Sequence, residues 1–214
     1  MRKGSTVPDR QAAPLEPNLR QPAPALGPRA QRTIESILDA TREIFLTRGY
    51  GGTSINEITR QAGVSRASFY TYFPSKRDVL LSLGSGATKA ARAAIAGLDD
   101  LPADWTVDDL ESWLSESLRF LDTHGAFGLA WSQAAYEDPE LREAGMRTHL
   151  RTCAMFGARL NAIRVDPLAE DTHLGLMVFS MLERTWTQQK LYEPTVEVDD
   201  VVRAGARLLE KLLR

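Results

Sequence analysis

Apolar residues recur at helical spacing along the chain from Arg29 onward. The first such stripe, which ends before Gly49, consists of Ile34, Ile37, Leu38, Ile44 and Phe45. The last stripe, near the carboxyl terminus, consists of Val198, Val201, Val202, Gly205, Leu208, Leu209 and Leu212. Intervals of three and four residues are typical of amphipathic helices, and no strand-like alternation of useful length occurs. The pattern therefore predicts an all-α fold of about nine helices.

Short polar residues mark the starts of the helices between these two stripes. Ser54 with Glu57 forms a capping box, and so does Thr106 with Asp109. Further side-chain caps are predicted at Ser65, Ser75, Asp138 and Asp166, the last two each followed by proline. Gly63 separates the short helix after Ser54 from the one after Ser65. These signals predict a helix-turn-helix between residues 54 and 73.

The second short helix has a face suited to DNA. Phe69 and Phe73 lie one turn apart and are expected to face the core, which leaves Arg66, Ala67, Ser68, Tyr70, Thr71 and Tyr72 pointing outward. Two exposed tyrosines beside an arginine are unfavourable on a solvated face. They are useful where a recognition helix meets base edges in a major groove while hydroxyls and lysines bind phosphates.

One stretch of the chain resembles the DNA-binding signature of the TetR family of transcriptional regulators. It consists of Ala62-Gly63-Val64-Ser65-Arg66-Ala67-Ser68-Phe69-Tyr70-Thr71-Tyr72-Phe73, with Thr53 before it and Pro74-Ser75-Lys76 after it. The resemblance spans about residues 32–81. It implies that Arg66 and Ala67 read bases and that Lys76 contacts a phosphate. It also implies that Thr53 anchors the second helix to the backbone. The expected DNA-contacting set is Thr53, Ser54, Ser65, Arg66, Ala67, Ser68, Tyr70, Thr71, Tyr72 and Lys76.

The same resemblance implies what the rest of the chain does. It implies a C-terminal helical domain that binds a small apolar inducer and forms a homodimer through the last two helices, at about residues 168–191 and 197–213. Such a dimer binds a palindromic operator, usually as a repressor. The segment Met181–Thr185 is similar to the ethionamide-response repressor subgroup. Neither the inducer nor the operator follows from the sequence, and repression and activation both remain open.

Charge divides the chain as the DNA hypothesis requires. Residues 1–80 hold 12 Lys and Arg against 7 Asp and Glu, a net charge of +5. Residues 81–214 hold 14 against 21, a net charge of −7, and the two parts sum to the −2 of the whole chain. A basic N-terminal part favours a polyanionic partner for that part alone, although surface charge also varies without function.

Several classes of protein are disfavoured by composition. The single cysteine, Cys153, excludes a disulfide framework and a cysteine-based zinc site, and its spacing predicts core packing. The three histidines lack metal-ligand spacing, so we expect no metal and no cofactor. No apolar run is long enough for a membrane span. Residues 1–26 lack the apolar region of a secretory signal. We therefore expect a cytoplasmic protein.

Proline content sets the expected domain boundaries. Six of the 11 prolines fall within residues 1–28, which predicts a disordered arm that is either inert or in loose contact with phosphates. A DNA-binding domain is expected over residues 29–75, and a ligand-binding and dimerisation domain over residues 76–214. Within the latter, Gly84-Ser85-Gly86 is either a hinge or only a weak point in a helix, because each glycine costs about 1 kcal/mol relative to alanine.

Aromatic residues cluster in the C-terminal part. Core packing is their usual role, but residues lining an apolar cavity would be of the same types. The candidate cavity walls are Trp113, Phe120, Phe127, Trp131, Phe156 and Trp186.

The alternative function is that of an all-helical carrier or enzyme without DNA binding. An enzyme requires clustered catalytic groups, and the sequence suggests no nucleophile–base pair, metal set or nucleotide loop.

Overall fold

The computed structural model describes residues 27–192 and 196–214, which form eight α-helices, one short 3-10 helix and no strand. The helices are α1 (Pro28–Arg48), α2 (Ile55–Gln61), α3 (Arg66–Tyr72), α4 (Lys76–Ala96), the 3-10 helix (Gly97–Asp100), α5 (Val107–Glu137), α6 (Pro139–Ile163), α7 (Asp171–Leu191) and α8 (Val198–Leu213). The predicted all-α fold of about nine helices is confirmed. The predicted arm lies outside the described residues except for Gly27 and Pro28. None of the described helices has the length and apolar character needed to cross a membrane.

The helix caps follow the sequence signals with one exception. Five predicted caps each accept a hydrogen bond from a backbone N–H in the first turn of the following helix. They are Ser54, Ser65, Ser75, Thr106 and Asp138.

The predicted helix cap at Asp166 is wrong, because the cap of α7 is Glu170, four residues later. The Asn161 side chain holds the intervening segment as a loop. Its Oδ1 accepts from Leu168 N at 3.1 Å, and its Nδ2 donates to Ala169 O at 2.9 Å.

The buried apolar residues form two clusters. The N-terminal core consists of Ile37, Ile44, Phe45, Ile58, Phe69, Phe73, Val79, Leu80, Leu83, Ala130, Ala134 and Leu141. The C-terminal core consists of Ile95, Leu98, Leu110, Trp113, Leu114, Phe156, Leu160, Leu174, Val178, Val202, Ala206, Leu209 and Leu213. Helices α4, α5 and α6 contribute to both cores, so they connect the helix-turn-helix to the aromatic-rich part of the chain.

Helices α6 and α7 touch backbone to backbone. A Cβ at Gly175 would collide with the Cys153 carbonyl, and one at Gly157 would collide with the Asp171 carbonyl. Cys153 itself is fully buried, as predicted, and burial raises the pKa of its thiol to about 11. The two helices therefore form a closely fitted pair that faces α5 with Phe156 and Phe179.

Candidate nucleic-acid interface and interior cavity

The helix-turn-helix is built around a glycine corner. Gly63, between α2 and α3, has a φ of 65°, a conformation that L-residues with a side chain rarely adopt. The Val64 N–H then donates to Thr59 O at 3.0 Å and closes the turn. Phe69 is fully buried and Phe73 is 6% exposed, so both fix α3 against the N-terminal core. The predicted helix-turn-helix geometry is present.

The outward face of α3 is narrower than the sequence suggested. Arg66, Ala67, Tyr70 and Thr71 are exposed. Ser68 and Tyr72 are half-buried, and the Tyr72 ring packs against the N-terminal core. The difference arises because Tyr72 lies three residues after Phe69, close to the buried side of the helix. The available surface is therefore centred on the first turns of α3.

Arg66 is held in place before any ligand binds. Its Nη1 donates to Asn56 Oδ1 on α2, and its Nη2 donates to Tyr70 Oη at 3.1 Å. The Tyr70 ring in turn meets the buried Phe69 ring edge to face, with centroids 5.5 Å apart. Guanidinium has five N–H donors, so several remain for bases or phosphates. The sequence reasoning missed Asn56, which lies ten residues from Arg66 and meets it only across the turn.

Two residues of the expected DNA-contacting set are turned inward. Thr53 is 4% exposed, and its hydroxyl donates to Gly49 O at 2.6 Å. Lys76 Nζ donates to Tyr50 O at 2.6 Å and to Thr53 O at 2.7 Å, and it lies 4.1 Å from the Tyr50 ring centroid. Burial lowers the pKa of Lys76, an effect that Glu137 partly opposes. In this conformation Lys76 fastens the loop before α2 to the start of α4.

The remaining two predicted residues, Ser54 and Ser65, serve as caps. Ser54 Oγ accepts from Glu57 N at 3.3 Å, and Ser65 Oγ accepts from Ser68 N at 3.0 Å. Both serines are exposed at helix N-termini, where backbone N–H groups and the helix dipole favour anions.

The helix-turn-helix is tied to the rest of the molecule at two points. Tyr50 N donates to Gln133 Oε1 on α5 at 2.6 Å. Arg77 on α4 pairs with Asp138, the cap of α6, at 3.2 Å. These polar contacts lie beside the N-terminal core, so they join the helix-turn-helix to α5 and α6.

A small apolar cavity lies beside the C-terminal core, with a volume of about 30 Å³. Helices α4, α5, α6 and α7 supply its walls, which are Ala91, Ala94, Ile95, Trp113, Ser117, Phe120, Leu121, Phe156, Phe179, Leu182 and Glu183. Three of the six residues expected in the walls, Trp113, Phe120 and Phe156, are among them. Phe179 and Glu183 were missed because their position depends on how α7 packs across α5.

The other three expected wall residues lie elsewhere. The Phe127 and Trp131 rings meet at a tilted angle, with centroids 5.4 Å apart, and pack against the N-terminal core. Trp186 is 3% exposed, lies against Gly125 and donates from Nε1 to Asp122 Oδ1 at 2.9 Å. Helical spacing identified these residues as inward-facing but did not distinguish cavity from core.

The two glycines of the α4 cluster, Gly84 and Gly86, have different surroundings. A Cβ at Gly84 would lie 2.8 Å from Phe127 Cζ, whereas one at Gly86 would meet nothing within 4 Å. Helix α4 runs unbroken through both residues. Gly84 therefore makes room for an aromatic ring, and only Gly86 remains available for the hinge interpretation.

Comparison with known families agrees with this geometry. Residues 37–83, which span most of α1 through the first part of α4, match the model of bacterial regulatory proteins of the tetR family. This segment is therefore similar to regulatory proteins of the tetR family. The matched segment includes the capped α2, the Gly63 turn and the exposed face of α3.

Individual relatives extend the match beyond this segment. The chain is 28% identical over 138 residues to the HTH-type transcriptional regulator EthR of Mycolicibacterium smegmatis, a match that covers 64% of this chain and 63% of that protein. It is 32% identical over 107 residues to EthR of Mycobacterium tuberculosis, covering 46% and 49%. The chain thus spans about half to three fifths of the length of these curated relatives. The match agrees with the predicted similarity to the ethionamide-response repressor subgroup.

The fold is shared more widely. A TetR-like transcriptional regulator from Rhodococcus sp. RHA1 superposes with a TM-score of 0.63 over 87% of this chain and 95% of that one, at 21% identity.

Proposed function

We propose that this chain is a transcriptional regulator of the TetR family that binds a palindromic operator as a homodimer and is released by a small molecule. Residues 29–75 would read the DNA. Residues 76–214 would bind the ligand and form the dimer. Repression is the expected direction of control. Because α4 and Lys76 belong structurally to both parts, we place the functional boundary within α4 rather than at a flexible linker.

The observation that carries this proposal is the pre-organised Arg66 on the exposed face of α3. An arginine fixed by Asn56 and Tyr70 loses little conformational entropy when it meets a guanine edge or a phosphate. The surrounding unit has a matching charge, because residues 27–83 hold 8 Lys and Arg against 5 Asp and Glu, a net charge of +3.

Dimerisation through α7 and α8 is supported by the apolar side chains that these helices leave exposed. Met177 on α7 is 71% exposed, and Leu208 on α8 is 55% exposed. Two residues of the predicted α8 stripe, Val202 and Leu209, are instead buried in the C-terminal core of the same chain, together with Ala206 and Leu213. The proposed interface is therefore the opposite side of α8 together with α7.

Leu208→Glu tests the interface without disturbing the core. We expect light scattering to show a monomer for this variant and a dimer for the unmodified chain at micromolar concentration. Leu209→Glu is not a suitable test because Leu209 is 1% exposed and a charge there would unfold the protein. A Leu208→Glu variant that remains fully dimeric would contradict the interface.

The DNA-binding function is tested by fluorescence anisotropy on duplexes from the region upstream of the gene. Arg66→Ala should lose about 1–3 kcal/mol of binding free energy on the preferred duplex and relax the base preference at one position in each half-site. Arg147→Ala, an exposed arginine on α6, is the matched control and should bind as the unmodified chain does. Full affinity of Arg66→Ala would refute the assigned surface.

A further inference from the structure

The cavity has one ionisable wall residue. All lining residues except Ser117 and Glu183 are apolar, and four of them, Trp113, Phe120, Phe156 and Phe179, are aromatic. Glu183 lies on the same face of α7 as Phe179, one turn further along. A single carboxylate is thus placed at an otherwise apolar and aromatic cavity.

The Glu183 carboxylate occupies space that a glycine leaves open. A Cβ at Gly128 on α5 would lie 2.9 Å from Glu183 Oε1, so the glycine makes room for the carboxylate. Within residues 27–192 and 196–214, no side chain forms a hydrogen bond or a salt bridge with it. The ionisable groups near it on α6 are His149, whose ring lies edge to face with Phe179 at 5.2 Å, and the thiol of Cys153. Burial raises the pKa of Glu183.

A half-buried carboxylate without a partner costs stability, and a ligand that supplies a positive charge would offset that cost. Aromatic rings attract organic cations through their electron-rich faces, so the same walls suit both the apolar part and the charge of such a ligand. A neutral apolar ligand would supply no positive charge to the carboxylate.

We propose that the cavity binds a small hydrophobic amine in its protonated form, with the ammonium paired to Glu183 and the apolar part against the aromatic walls. This inference rests on the proposed ligand-responsive function and names the class of ligand. Ligand sites usually measure about 300–1,000 Å³, so binding must displace walls of the present cavity. Phe120 and Phe179 are only half-buried and can move with the least loss of packing.

The test compares three probes of one shape and different charge: phenylbutylamine, phenylbutanol and phenylbutyrate. Isothermal titration calorimetry without DNA should show that the amine binds the unmodified chain about tenfold or more tightly than the other two. Glu183→Gln should lose this preference. Glu116→Gln, which removes an exposed carboxylate from α5, is the matched control and should keep it.

Each outcome decides the proposal. Equal affinity for amine and alcohol, no detectable amine binding at millimolar concentration, or an unchanged preference in Glu183→Gln would overturn it. Glu183→Gln should unfold thermally at or above the temperature of the unmodified chain, because it removes an uncompensated charge. A chain that binds the amine through Glu183 but binds no DNA would refute the regulator function and leave the ligand class standing. A chain that binds DNA but shows no preference for the amine would refute the ligand class and leave the regulator function standing.

Discussion

The two cores of the molecule differ in how completely they are filled. In the N-terminal core, Phe45 is 1% exposed and Phe69 is fully buried, and the surrounding helices are fixed by side-chain caps and a glycine corner. The C-terminal core borders a cavity whose walls include the half-buried Phe120 and Phe179. A surface that reads DNA requires fixed geometry, whereas a site that signals ligand binding must be able to rearrange.

The largest expected change in stability comes from a substitution in the N-terminal core. Phe69→Ala should lower the free energy of unfolding by about 3–5 kcal/mol, because it removes a fully buried ring that fixes α3. Phe179→Ala should cost less, about 1–3 kcal/mol, because the ring is half-buried beside empty space. Urea unfolding of the two variants measures the difference. Equal losses would show that the cores are equally well packed.

A smaller effect is expected at the junction of the two cores. Gly84→Ala should destabilise the chain, because its Cβ would press on the Phe127 ring. Gly86→Ala should stabilise it by about 1 kcal/mol, because its Cβ meets open space and alanine is the better helix former. Thermal unfolding distinguishes the two.

If Gly86 is a hinge, Gly86→Ala should also weaken the response of DNA binding to ligand while leaving DNA binding without ligand intact. An unchanged response would reduce Gly86 to a weak point in α4.

The smallest effect is a pH dependence that belongs to the cavity. The pKa of Glu183 is raised in the folded chain, so between its unfolded and folded pKa values the folded state binds more protons than the unfolded state. Stability contributed by this group is therefore present at low pH and lost as the pH rises through the folded pKa. Relative to the unmodified chain, Glu183→Gln should gain stability over this range above pH 4.5. A difference in stability that does not change with pH would contradict the buried environment of this carboxylate.

Sequence reasoning succeeded where structure depends on near neighbours. The capping boxes at Ser54 and Thr106, the stop at Gly49 and the turn at Gly63 each involve residues within one or two turns of one another. Such signals defined the helix-turn-helix and the course of most helices. The exception is Asp166, where the Asn161 side chain, also a near neighbour, holds the following segment as a loop.

Sequence reasoning failed where structure depends on packing between helices. Periodicity placed Phe127, Trp131 and Trp186 correctly inside, but it carried no information about which helix each would face. Lys76 was expected to bind a phosphate through its side chain, yet two carbonyls of the loop before α2 hold its ammonium group. Asn56 and Glu183 acquire their roles only from partners or glycines on other helices.

The central claim is that the cavity and the DNA-facing surface are coupled through α4 and α5. It is tested most directly by measuring operator affinity with and without saturating phenylbutylamine, and amine affinity with and without operator DNA. Lys76 at the start of α4 and Ala91 at the cavity lie about 22 Å apart along one helix, so a shift at one end is carried to the other. Linkage requires both affinities to fall by the same factor, which we expect to lie between about 5 and 150. Amine binding that leaves operator affinity unchanged would contradict the account.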